Sequence, residues 1–166
     1  MVKKIYFPRE VLPMAYITSS FVNMVLSFLV VFGVLLVTGY GFHPAALLYL
    51  PLIMAVEYLL ALGIALLTSA LTVYFRDLAY ILNIIAMAWQ FLTPVMYSAS
   101  QVPERLMPIW RLNPMTPVID AYRDILYYKQ IPRISTLTEA AALGIIILVA
   151  GEVIFCKLQR GFAEEL

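Results

Sequence analysis

Along this chain the apolar positions come in long blocks and the charged ones in short interruptions. No charged side chain occurs between Met14 and Phe42, and about 20 mostly apolar residues are enough for a helix to cross a hydrocarbon core. Cutting the chain at its charges and prolines predicts four membrane spans. They cover residues 14–40, ended by the breakers Gly39, Gly41 and Pro44; 46–74, with Pro51 in its first turns and Glu57 as its one charge; 78–97, with Pro94 near its end; and 137–156. An even number of spans puts both termini on one side. Between the second and third spans lies only the tight turn TVYFRDL (Thr72 to Leu78), whose Arg76 and Asp77 mark a water surface.

The stretch 98–136 follows a different pattern. It is too long for a turn, too apolar for a solvated loop and too interrupted to span, with prolines at 103, 108, 114, 117 and 132. Asn113 followed by Pro114 is a helix opening, because asparagine caps free amides and proline in the first turn sacrifices no bond. From there to Tyr128 the spacing of Val118, Ile119, Tyr122, Ile125 and Leu126 is helical, with Asp120, Arg123 and Asp124 on another face. Broken backbone at membrane depth is tolerated only where protein or a water-filled cavity covers it, so a re-entrant hairpin bordering a pathway is expected here. The fold class is therefore all-α: a polytopic integral membrane bundle of four transmembrane helices, with a re-entrant helical hairpin between the last two.

Composition agrees with a bilayer protein: 63% hydrophobic residues, 13% charged residues and a mean hydropathy of +0.91. The formal charge of +1 and the lack of a dense Lys or Arg run exclude a nucleic-acid partner and leave membrane lipids as surroundings. Cys156 is the single cysteine and reads as a packed thiol. The first apolar run is too long for a signal peptide. Lysine and arginine nearly tie between the two sides: Lys3, Lys4, Arg9, Arg76, Lys157 and Arg160 against Arg105, Arg111, Arg123, Lys129 and Arg133. Charge counting thus leaves orientation open. The chain carries no phosphate loop, nucleophile motif or metal-spaced cluster, so no catalytic residue and no metal ligand is assigned.

Several intramembrane residues admit two readings. Glu57 lies roughly 20 Å beyond Pro44 at 1.5 Å per residue. A carboxylate there is either a proton-coupling or substrate-contacting group, or a structural one hydrogen-bonded to a neighbouring helix. Asn83 and Gln90, with Pro94, mark one face of the third span and are candidates for lining a pore. The stripes Ser19, Asn23, Ser27 and Ala61, Ala65, Ser69 predict close helix packing, with pore lining as the alternative. The aromatics Tyr74, Phe75, Tyr97, Trp110, Tyr127 and Tyr128 cluster at span ends, as a membrane-interface belt or as rings that stack on sugars. His43 reads as an interfacial residue and Glu152 as an anchor near the headgroups.

Three segments, in order, resemble the type-2 ATP-binding-cassette exporter permeases of bacteria: KKIYFPREVLP before a span, LTVYFRDL between two spans, and PVMYSASQVPERLMPIWRLNPMTPVIDAYRDILYY. The branch is the one exporting polysaccharides and polyol phosphates, such as O-antigen and teichoic acid chains, and the likeness extends over nearly the whole chain. The resemblance implies one transmembrane permease domain over residues 1–166. Residues 1–13 would be a cytosolic coupling segment, 98–136 external gate helices and 157–166 a cytosolic tail, in the bacterial inner membrane. It makes Lys3, Lys4, Tyr6, Phe7, Pro8, Arg9 and Glu10 contact surface for a separate nucleotide-binding ATPase subunit, which would use the ATP; this chain would bind no cofactor and be no enzyme. It makes Tyr97, Pro103, Glu104, Trp110, Asn113, Pro114 and Arg123 part of the outer gate or pathway. A second copy of the permease would complete a homodimeric channel for a glycan or lipid-linked glycan. The family's usual form has six spans behind an amphipathic N-terminal helix, and this chain begins at the connection before the third. Two other functions fit the same pattern: a multidrug or small-molecule exporter of the same superfamily, and a secondary proton-coupled transporter that uses Glu57.

Overall fold

The computed structural model describes residues 10–75, 77–93, 95, 97 and 102–159, all of which lie in helices, turns or irregular segments. In chain order the helices are α1 (Val11–Val37), α2 (Pro44–Leu47), α3 (Leu50–Tyr74), α4 (Leu78–Leu92), a 3₁₀ turn (Glu104–Leu106), α5 (Met107–Leu112), α6 (Met115–Leu126) and α7 (Ile134–Leu158). Three stretches are long and apolar enough to cross a membrane: Val11–Val37, Pro44–Tyr74 and Ile134–Leu158. The fold is thus the all-helical membrane bundle expected, with the third of the expected spans, 78–97, represented by a shorter helix. Helix α4 has 15 residues, or about 22 Å against a hydrocarbon core of about 30 Å. It stops where Thr93 turns extended at φ −82°, ψ 132°, the conformation forced on a residue that precedes a proline.

Helix α1 ends by the chemistry of its glycines. The Gly39 amide donates to the Leu36 carbonyl and the Tyr40 amide to the Leu35 carbonyl, each at 3.2 Å, while Gly39 adopts φ +66°. This is a glycine-closed helix terminus that satisfies two orphan carbonyls. Along its length α1 buries no residue completely. It touches the bundle through Phe21, Met24, Val25, Phe28 and Phe32, which lie against the core of α2, α3, α6 and α7.

The centre of the bundle is the seam between α3 and α7, where backbone meets backbone. A Cβ on Gly151 would stand 2.3 Å from the Gly63 carbonyl oxygen, and one on Gly63 would stand 2.6 Å from the Leu148 Cα. Small residues let membrane helices approach this closely because lipid supplies no competing apolar drive. The stripes expected to do this do not. Ala61, Ala65 and Ser69 sit one face away and line an open groove beside α4. Ser19, Asn23 and Ser27 lie on α1 away from the seam, where the Ser27 hydroxyl donates to the Asn23 carbonyl of its own helix at 2.9 Å. A hydroxyl satisfied within its helix needs no neighbour.

Helix α6 packs its Val118, Ala121 and Ile125 side chains, all buried, into the core against α3 and α7. One face of the bundle carries Glu10 and Gln159, joined at 3.3 Å, and Tyr74, whose hydroxyl donates to the Leu158 carbonyl at 2.8 Å. The opposite face carries the 38–43 and 127–133 connections.

Candidate functional site

Glu57 lies about two turns into α3, where helical spacing points it toward α6 rather than into the α3–α7 seam. The Tyr122 hydroxyl donates to its Oε2 at 2.5 Å, and the Tyr122 ring stacks on Phe28 of α1 at 5.5 Å between centroids and 25° between planes. Three helices therefore meet at one half-buried carboxylate. On its other side Glu57 lines a pocket of about 240 Å³ with Ser20, Phe21, Met24 and Tyr58. The Tyr58 hydroxyl is bonded to Thr18 Oγ1 at 2.9 Å, and its ring meets Phe21 edge-on.

At the far end of α6 a polar knot ties the hairpin to α4. Asn113 is 6% exposed and uses both ends of its amide. Its Oδ1 accepts from Trp89 Nε1 at 3.0 Å and from the Met115 backbone amide at 3.0 Å, while its Nδ2 donates to Thr93 Oγ1 at 3.1 Å. The Thr116 hydroxyl donates to the Trp110 carbonyl at 2.9 Å. Capping an otherwise free amide at the start of α6 is what asparagine does at a helix opening. Trp110 Nε1 is buried with no hydrogen-bond partner among the described residues.

On the opposite face of α6, Arg123 Nη2 donates to the Tyr97 carbonyl at 3.0 Å, and its Nη1 stands 3.6 Å from Asp120. Burial pushes the Asp120 carboxyl above the usual carboxylate range; the Arg123 charge opposes that rise and Asp124 adds to it. Beyond α6 the chain is clasped to the α1–α2 connection. Lys129, at φ +54°, donates its Nζ to the Tyr40 carbonyl and lies 3.8 Å from the centre of the Tyr40 ring. The Tyr40 hydroxyl in turn donates to the Tyr127 carbonyl at 3.2 Å.

Between α1, α3 and α4 lies an open groove of about 1040 Å³ with mostly apolar walls. Asn83, Gln90 and Trp89 of α4 face it, as do Thr68, Ser69 and Thr72 of α3. The expected gate residues divide. Asn113, Pro114 and Trp110 lie at or beside the knot and Arg123 lies against Tyr97 on the other face of α6, whereas Pro103 and Glu104 are exposed at the start of the 3₁₀ turn. Of the expected coupling segment, residues 3, 4 and 6–9 lie outside the described residues. Glu10 accepts from Gln159 Nε2 at 3.3 Å and from the Cys156 thiol at 3.7 Å. Sequence reasoning did not single out Tyr122 as the partner of Glu57, nor Trp89 and Thr93 as partners of Asn113. Their one available signal was polar groups on facing apolar helices, which does not say which faces meet.

Three long apolar helices packed into one all-helical bundle, with shorter helices docked on it by polar bonds, define a multi-pass membrane protein. The family model described as ABC-2 type transporter matches residues 1–127, and the chain belongs to that family. It is similar to the O-antigen export system permease protein RfbA of Myxococcus xanthus, at 29% identity over 171 residues, and to proteins of the same name from Klebsiella pneumoniae, at 28% and 29% over 168. These matches take in all of this chain but 64% of each relative, so the chain spans less than two thirds of their length.

Proposed function

We propose that this chain is part of the permease subunit of an ATP-driven exporter that moves a polysaccharide or lipid-linked glycan across the bacterial inner membrane. The observation that carries the reading is the segment of short helices, 102–128, docked by polar bonds at one end of the bundle in a chain of the ABC-2 type family; we read it as re-entrant. Backbone broken at membrane depth belongs beside a pathway. The relatives named for O-antigen export support a glycan as the cargo. A second copy would complete the channel, with the face carrying Glu10 and Gln159 toward the cytosol and the hairpin outside.

In this reading the chain catalyses no covalent step, and the energy comes from a separate ATPase subunit docked on residues 3–10. Tyr6 and Phe7 offer compact aromatic anchors, and Arg9 can pair across the interface. The prolines Pro8 and Pro13 stiffen the segment so that a push is transmitted. The test is affinity capture of the full-length protein from membranes of its native host. An ATP-binding-cassette ATPase is expected to copurify, and Phe7→Ala with Arg9→Ala is expected to abolish its recovery while membrane insertion is unchanged. Undiminished copurification with the double variant would remove the docking role of this segment.

A further inference from the structure

Helix α6 reaches into the bundle without spanning it, and its contacts there are of two kinds. Its buried residues are mostly small, Thr116, Pro117, Val118 and Ala121, with Ile125 the largest aliphatic. In a membrane such contacts gain little over contacts with lipid, so polar bonds carry the specificity of seating. Midway along α6 such a bond reaches a membrane helix, from the Tyr122 hydroxyl to Glu57 Oε2 at 2.5 Å, with Phe28 covering the ring. The same carboxylate borders the 240 Å³ pocket walled by Ser20 and Tyr58. If α6 withdraws, the carboxylate can turn into a space with hydroxyl groups and room for water, so it is not stranded in apolar surroundings. The Ser20 and Tyr58 hydroxyls are bonded to the Tyr16 carbonyl and to Thr18, so water in the pocket is the partner on that side. A carboxylate with tyrosine on one side and water on the other has two low-energy arrangements, which is the requirement for a switchable element.

We propose that the Glu57–Tyr122 hydrogen bond is a releasable latch that sets α6 in its seated position, with Tyr122 and Glu57 as positioning residues for movement of the re-entrant hairpin. The proposal rests on the reading of 102–128 as the moving end of a transport route. Its test needs no transport, so the two can fail separately.

The experiment uses the full chain in proteoliposomes with Cys156→Ser and one reporter cysteine, labelled over time with N-ethylmaleimide. The reporter is Ala121→Cys, at a position with 0% exposure in the α6 seat; the control is Leu66→Cys, 2% exposed at the other end of the α3–α7 seam. Labelling of a buried thiol tracks the population in which its site is open. Tyr122→Phe is expected to raise the rate at position 121 about tenfold, equivalent to about 1.4 kcal/mol of seating free energy, and to leave position 66 slow. Glu57→Gln keeps an acceptor for the tyrosine hydroxyl and is expected to act less. Combined with Tyr122→Phe it is expected to add nothing, because whatever it changes in seating acts through the bond that Tyr122→Phe has already removed. An unchanged rate at 121 in Tyr122→Phe, additive effects in the double variant, or equal acceleration at 66 would each overturn the latch. If Tyr122→Phe does not accumulate in membranes, Glu57→Leu puts the same question to the other partner.

Discussion

At the scale of single residues, a few buried polar groups tie the bundle together. Asn113 satisfies a tryptophan N–H, a threonine hydroxyl and a backbone amide at once. Asn113→Ala would therefore leave the half-buried Trp89 N–H and Met115 amide without their partner and take a donor from the buried Thr93 hydroxyl, a buried group left unpaired costing about 1 to 3 kcal/mol. The expected result is a loss of at least about 2 kcal/mol in unfolding of the purified protein, read by denaturant titration of tryptophan fluorescence, with the Trp89 signal itself altered. An unperturbed midpoint would mean that water replaces the asparagine without cost. The position was legible in the sequence as a helix cap before Pro114. Its role as the tie to α4 was not, because Trp89 and Thr93 lie 24 and 20 residues earlier in the chain, and no local pattern links them.

At the scale of helices, glycine placement decides which faces can touch. A methyl group added at Gly33 on α1 would meet nothing within 4 Å, whereas one at Gly151 on α7 would run into the Gly63 carbonyl. Gly151→Ala is thus expected to destabilise the protein by about 1 to 3 kcal/mol through overpacking. Gly33→Ala should be neutral or stabilising by up to about 1 kcal/mol, since alanine is the better helix former. Comparing the two variants by thermal unfolding in one detergent checks the seam directly; equal effects would refute it. Sequence periodicity placed α1, α3 and α7 correctly as apolar helices, yet pointed to the wrong small residues for their contact. Ala61, Ala65 and Ser69 form as good a stripe as Gly63 and its neighbours, and only the partner helix distinguishes them.

At the scale of the whole molecule, two energy sources could serve the proposed export. The proposed route is ATP-driven through the segment before α1, while a proton-coupled carrier would run through Glu57. The structure engages Glu57 with Tyr122, and among the described residues no other titratable group shares a hydrogen bond with it. A proton relay through a membrane ordinarily strings several such groups together. Export in cells carrying Glu57→Gln is accordingly expected to remain above about half of the wild-type level, and export by the unaltered protein to survive a protonophore while cellular ATP is maintained. Loss of export in both experiments would return the mechanism to proton coupling.

The sequence by itself determined that this is a helical membrane protein, where its long apolar helices run, and that the stretch after α4 could not span. Those outcomes depend on local quantities: runs of apolar side chains, and prolines and glycines that forbid or end a helix at their own positions. Only the tertiary structure decided that α3 and α7 form the central seam, that Glu57 meets Tyr122 and that Asn113 ties α6 to α4. In a nonpolar solvent every face of an apolar helix is acceptable to lipid, so burial pattern carries little information about partners. Which faces meet is fixed by close steric fit and a handful of hydrogen bonds, between residues as many as 65 positions apart along the chain in the case of Glu57 and Tyr122.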